Sequence, residues 1–314
     1  MLECLARTEF PKIRSVIWAH ISGLFKPYIP PGLIEQAHRF VFTSNASLKG
    51  PSVGQYGTTS VINSGFGIEA KASVLERTQP VIGYLGTVNF VKMHKGFFEA
   101  VDRLDQNVTA LIFGSIDSTV VDYASTMRNA HRFNFCGETS APDEAFALMD
   151  IFFYPLQPEH YGTGENALVE AMSTGLPVVV MNNPAEMEIV THRKTGFVAD
   201  SIYNCTTFLD RLIRSRTVRK SIGYNAAMFA AGQRKPRQAA NSFMELWRGL
   251  IDDVPQYVNF ADAIGHTPAE WFLATQRLPG MVYEPVQQEA GATKGSLAHF
   301  QKCFANDKSF ATLR

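Results

Sequence analysis

The 314-residue chain reads as an α/β protein built on a doubly wound parallel sheet, and its length suits two domains with cores of their own. Between residues 81 and 198, short apolar runs alternate with helical segments. That order lays parallel strands under helices on both faces. Inside this stretch a glycine-bearing loop, Gly162-Thr163-Gly164, opens directly onto a helix from Glu165 to about Ser173. The helix stops at Thr174-Gly175-Leu176-Pro177, and an apolar strand, Val178-Val179-Val180, follows at once.

In chain order, the first expected strand is Arg14 to His20, and Pro30-Pro31-Gly32 introduces a helix over Leu33 to Arg39. Phe40 to Thr43 is a second short strand, residues 45 to 56 are a Ser-, Gly- and Lys-rich loop, and Ser60 to Asn63 is a third strand. Residues 68 to 79 read as a linker. Strands are then expected at 81–86, 109–114, 133–137, 151–154, 178–181 and 196–198. Helices fall between them at 96–103, 119–130, 143–149, 165–173 and 185–190. After residue 200 the pattern turns helical, over 206–214, 218–231 and 236–251, and Thr267 to Ala274 carries a helix with Pro268 in its first turn.

Composition excludes several classes. The 29 basic and 29 acidic residues cancel, which argues against a dedicated nucleic-acid binder. No apolar run approaches the roughly 18 residues of a membrane-spanning helix, and the first residues lack a signal-peptide core. Four scattered cysteines without CxxC spacing, and eight unclustered histidines, predict a cytoplasmic protein with reduced thiols and no metal site. The basic cluster Arg211, Arg214, Arg216, Arg219 and Lys220 suits either a peripheral contact with acidic lipid or a solvated helical face.

The loop before residue 165 carries the chemistry. A helix entered through small residues offers free backbone N–H groups and a positive dipole end, which suit a phosphate. Glu170 lies one turn beyond Asn166 on the same face, where a carboxylate can accept from ribose hydroxyls. Together they suggest a nucleotide-diphosphate site. The competing reading is that Gly162 and Gly164 serve only the turn.

Residues 81 to 198 resemble the donor-binding domain of family 4 glycosyltransferases of the GT-B fold, which has two facing Rossmann-like domains. Gly83-Tyr84-Leu85-Gly86-Thr87 with Lys92 resembles the family's G-R-x4-K segment, and Phe135-Cys136-Gly137-Glu138 the strand ending near the base. Asp150 to Pro155 is similar to its D-x-F-x-x-P strand. Glu159, Gly162 and Glu170 to Val179 resemble the E-x-F-G…E-A-M-A-x-G-x-P-V-V block. Glu188-Ile189-Val190 and Thr195 to Val198 match the family's segments beyond that block. Trp18 to Gly23 is similar to the strand end that bears an active-site histidine, here His20.

The resemblance implies a nucleotide-diphosphate sugar as donor, a glycan, lipid-linked or small-molecule hydroxyl as acceptor, transfer with retention, and no cofactor or metal. It places Glu170 on the ribose, the amides of Gly164 to Ala167 on the diphosphate, and Lys92 on the developing leaving-group charge. Glu159 falls on the sugar, with Gly86, Thr87, Lys95, Gly137, Glu138, Gly162 and Thr163 lining the donor. Two features depart from the family. Its glutamates stand eight apart, whereas Glu159 and Glu170 are eleven apart; Glu165 is the alternative sugar-facing acid, although a solvated first-turn position suits it better. Thr87 stands where the family has a diphosphate-binding arginine, so the expectation is that either Lys92 acts with Lys95 or an arginine elsewhere in the chain substitutes.

The resemblance divides the chain into a partial N-terminal Rossmann-like domain over 1–75, a donor domain over 76–232, and a helical crossover with C-terminal extension over 233–314. Domain closure is expected to bring His20 and Lys92 around the sugar. The family's opening strands are expected to precede residue 1, so a non-catalytic nucleotide-sugar-binding module is the competing reading. A nucleotide-sugar epimerase is a third.

Overall fold

The computed structural model describes residues 2–53, 57, 59–68, 77, 79–278 and 295–313. The linker expected over 68–79 falls largely outside them. The chain forms two compact units, Met1–Ile62 with Asn241–Arg314, and Asn63–Ala240.

The first unit opens with α1 (Leu2–Arg7), β1 (Val16–Ala19), α2 (Pro31–Gln36), β2 (Arg39–Phe42) and β3 (Thr59–Val61). The three strands form a parallel sheet in the order β1-β2-β3. Helix α2 starts at Pro31 and ends before the expected Arg39. There the Arg39 amide joins the ladder instead, donating to the Ser15 carbonyl at 3.2 Å.

In the second unit the elements are β4 (Val81–Leu85), α3 (Gly96–Asp102), β5 (Thr109–Phe113), α4 (Ser118–Ser125), β6 (Phe133–Gly137), α5 (Pro142–Ala147), β7 (Ile151–Tyr154), α6 (Asn166–Ser173), β8 (Val178–Met181), α7 (Pro184–Ile189), β9 (Gly196–Ala199), α8 (Ile202–Arg214) and α9 (Arg216–Gln233). All six strands are parallel, in the order β6-β5-β4-β7-β8-β9. Strands β7 and β8 are buried at every position, which is why they read as unbroken apolar runs. Helix α4 is shorter than expected. The chain leaves it because the Asn129 amide donates to the Asp102 carboxylate at 2.6 Å, and the buried Arg132 guanidinium caps the Val101 and Leu104 carbonyls.

Helix α10 (Pro236–Ile251) contains the division at 240/241, and α11 (Phe260–Ile264), α12 (Pro268–Gln276) and α13 (Leu297–Cys303) complete the first unit. Helix α12 carries a capping box, Thr267 with Glu270, that satisfies its first free amides. Val258, Phe260, Ile264 and Trp271 from this segment share one core with Leu33, Ile34, Phe40 and Phe42. Phe243 of α10 packs edge-on against Trp18, with ring centroids 4.9 Å apart, whereas Trp247 is half exposed. Among the described residues, no helix is long and apolar enough to cross a membrane.

Candidate functional site

Strands β4 and β7 are neighbours in the sheet but not in the sequence, so the winding reverses between their carboxyl ends. In doubly wound sheets the crevice at that reversal is where ligands bind. The two loops that leave it are stitched together. His94 N–H donates to the Pro155 carbonyl at 2.9 Å, and Gln157 N–H donates to the Lys92 carbonyl at 2.8 Å. The Lys92 backbone is therefore held from its neighbouring loop, and its own amide also donates to Asn89 Oδ1 at 3.0 Å.

Glu165 sits at the N-cap of α6 in the left-handed region (φ 39°, ψ 54°), an uncommon place for a residue with a Cβ. That turn folds its side chain back into the protein. The solvated first-turn position expected for Glu165 is thus replaced by one only 4% exposed. Its Oε2 accepts from the Tyr154 hydroxyl at 2.9 Å and lies 3.5 Å from Lys92 Nζ, which stands 5.6 Å from the Tyr154 ring centre. Its Oε1 is buried without a hydrogen-bond partner, 3.9 Å from His160 Nδ1. Burial pushes the Glu165 carboxyl up, but Lys92, His160 and the Tyr154 hydroxyl outweigh it and hold the group below its ordinary range. Burial and then Glu165 drive Tyr154 well above the ordinary phenol value, so it stays a donor.

Strand β4 adds Tyr84, stacked on Tyr154 at 5.3 Å and donating to the Thr87 carbonyl at 2.9 Å. Helix α7 adds Glu186, fully buried, whose Oε1 lies 3.2 Å from His160 Nε2. Gly162 is required by close approach. A Cβ there would come within 2.2 Å of Glu165 Oε1 and 2.9 Å of His160 Nδ1.

At the mouth of α6, the Leu168 and Val169 amides both turn back to the Glu165 carbonyl, which leaves those of Asn166 and Ala167 as the ones without an intrahelical acceptor. Glu170 is half-buried one turn on; burial raises its pKa, and among the described residues nothing pairs with its carboxylate. Ser64 and Gly65 border this mouth: the Ser64 hydroxyl lies against Gly164, and a Cβ on Gly65 would sit 2.6 Å from the Gly164 carbonyl.

Residues 67–228 match the family described as glycosyl transferases group 1. The chain belongs to that family. No curated protein matches the chain in sequence. Among solved structures, Anabaena Alr3699/HepE in complex with UDP is 20% identical at a TM-score of 0.63, with 74% of this chain and 72% of that chain covered. In complex with UDP and glucose it is 22% identical at 0.59, over 68% of this chain and 64% of that one. A glycosyltransferase from Rickettsia africae is 15% identical at 0.65, covering 76% and 71%. The chain thus spans a little under two thirds of the HepE chain that holds UDP and glucose. At these identities the likeness shows the fold, GT-B-like with parallel sheets.

Of the donor residues expected from sequence, the family domain brings Lys92, Gly162 and Glu165 together and lines Thr163, Gly164, Asn166, Ala167 and Glu170 along the start of α6. Gly86 and Thr87 follow β4 beside Tyr84. Lys95 lies elsewhere, its Nζ over the Phe90 and Tyr123 rings at 5.2 and 5.5 Å. Glu159 and Glu138 are exposed, and Gly137 has φ 77° with open space around it. His20 belongs to the first unit, exposed at the end of β1 and edge-on to Trp18 at 4.4 Å. Tyr154, His160 and Glu186 were not singled out. A tyrosine closing an otherwise Ile-Phe-Phe strand was the available signal for the first, since a buried hydroxyl needs a partner. Of the basic cluster, Arg211 stacks on Phe197, Arg214 pairs with Asp210, and Arg219 caps the carbonyls of Leu212 and Ile213.

Proposed function

We propose that the chain is a retaining family 4 glycosyltransferase that moves a hexose from a nucleotide-diphosphate sugar to a hydroxyl acceptor. The observation that carries this is the pairing, at one switch point, of a free-amide helix mouth with an unpaired Glu170 one turn away. The mouth suits a diphosphate and the carboxylate suits ribose hydroxyls. In transfer, the bond from the anomeric carbon to the phosphate oxygen breaks and negative charge gathers on that oxygen. Lys92 is the cation at hand, and its partner Glu165 holds it ready until the diphosphate offers a stronger anion. The acceptor oxygen bonds to the anomeric carbon, and its proton leaves to the departing phosphate. No step calls for a metal.

HepE was crystallised with UDP and with UDP-glucose, which makes UDP-glucose the first donor to test. Calorimetric titration with UDP should give binding that weakens about tenfold or more in Glu170→Ala, as expected for losing a hydrogen bond to a charged group. Unchanged affinity in that variant would sink the assignment. With radiolabelled UDP-glucose, label passing to an acceptor supports transfer, label remaining in an isomerised donor marks an epimerase, and binding without either marks a non-catalytic module.

A further inference from the structure

His160 has no role in the chemistry above, yet it is buried among the groups that do. Its Nε2 faces Glu186, at 3.2 Å from Oε1 and 3.4 Å from Oε2. Glu186 is itself fixed: Asn183 Nδ2 donates to its Oε1 at 3.0 Å and also reaches the Leu156 and Gln157 carbonyls. A carboxylate at Nε2 calls for a proton there, which leaves the Nδ1 lone pair free in the neutral ring. That lone pair accepts the Gly162 amide at 3.0 Å. Gly162 leads within three residues to Glu165, the partner of Lys92. Glu165 Oε1 is meanwhile buried without a donor, and Nδ1 is the ring atom next to it, 3.9 Å away.

We infer that His160 is a positioning residue that, as a neutral ring, anchors the Gly162–Glu165 loop in its donor-binding form and, on gaining a proton at Nδ1, lets it go. A protonated Nδ1 cannot accept from Gly162, because two N–H groups then point at each other. It turns instead to the orphan oxygen of Glu165, which gains the donor it lacks while the loop loses its anchor. The charged groups acting on the ring are Glu186 from α7, Glu165 from the start of α6 and Lys92 from the loop after β4, with the Tyr154 hydroxyl bonded to Glu165 behind it. Two carboxylates against one ammonium favour a proton on the ring. Burial opposes it, but Glu186 and Glu165 prevail, and the His160 pKa is raised above its ordinary value. The ring therefore keeps its proton to higher pH than a free imidazole does. A raised pKa stabilises the fold at low pH, an effect lost as pH rises through it, so acid should tighten this cluster while weakening the donor site.

This inference rests on the donor site proposed above, and its test separates the two. UDP affinity of the full chain is measured from about pH 5.5 to 8.5 alongside nitrogen-15 histidine spectra. A neutral ring protonated at Nε2 is expected, with affinity falling roughly tenfold as His160 becomes imidazolium, the worth of about one lost hydrogen bond. Glu186→Gln should move that midpoint to lower pH. His160→Asn, which keeps an acceptor oxygen near the Nδ1 position, should bind UDP without the acid limb. The unaltered protein suffices if a variant fails to fold. An Nδ1–H neutral tautomer, an acid limb that persists in His160→Asn, or titration of His160 with no change in affinity overturns the inference. If UDP binds at no pH, the donor reading fails by itself. The Gly162 amide resonance then decides, by moving with the His160 titration or staying still.

Discussion

Glu165 concentrates the energetics of the site at the scale of one residue. It holds an ion pair with Lys92 in surroundings where neither side chain has much water, and it takes a left-handed backbone to do so. Removing one partner of such a pair strands the other, so Lys92→Ala should cost about 3–5 kcal/mol in urea unfolding, far more than an exposed pair is worth. A loss below about 1 kcal/mol would mean that the pair is open to solvent. The pH dependence has a definite sign. The folded Glu165 pKa is lowered, so its stabilisation is complete above the ordinary glutamate value and is lost as pH falls through the lowered one. The stability gap between the natural protein and Glu165→Gln should therefore narrow in acid. Glu170 behaves oppositely: burial raises its pKa, so Glu170→Gln should leave the fold as stable or more so at neutral pH while weakening UDP.

At the scale of elements, the site depends on how closely α6 is pressed by its neighbours. A Cβ on Gly223 of α9 would come within 1.9 Å of the Gly175 carbonyl, a backbone atom that cannot rotate aside. Gly175 ends α6 with φ 82°, and a Cβ there meets nothing nearer than 3.9 Å. Gly175→Ala should thus cost only its conformational strain, about 1–2 kcal/mol. Gly223→Ala should cost more and also weaken UDP binding, because α9 must move off the helix that carries the donor mouth. Denaturant midpoints for the two variants check the order, and the reverse order would show that the helices shift apart freely. Under β4 and β5, a Cβ on Gly114, with φ 139°, would come within 1.7 Å of the Gly86 carbonyl, so the loop that leads to Lys92 has a similar constraint.

For the whole molecule, two separate cores mean that ligand binding and unfolding can be followed by unit. All three tryptophans, Trp18, Trp247 and Trp271, stand in the first unit, and the donor site stands in the second. UDP at about 100 times its dissociation constant should stabilise the folded state by about 2.7 kcal/mol. In far-UV circular dichroism that amounts to roughly 5–10 °C for a unit of this size. Hydrogen exchange should then show added protection in residues 86–95 and 157–170 of the second unit. Protection confined to the first unit would exclude a donor site in the second.

The doubly wound sheet was legible because strands buried on both faces, such as Ile151–Tyr154 and Val178–Met181, have no choice but to be continuously apolar. Glycine at 162 and 164 and Pro177 likewise announced a loop, a helix and its end. The end of helix α2 is not legible in sequence, because Arg39 looks the same in a helix as in a ladder, and only its bond to Ser15 decides between them. Glu159 and Glu165 are alike as letters in a loop, one exposed and the other buried. What separated them was a left-handed turn, and the approach of Lys92 and Tyr154 from two other segments. Periodicity is a property of one segment, so the sequence alone determined the elements and the sheet they form. Burial of a charge depends on atoms remote in the chain, and only the tertiary structure could choose which acid enters the site.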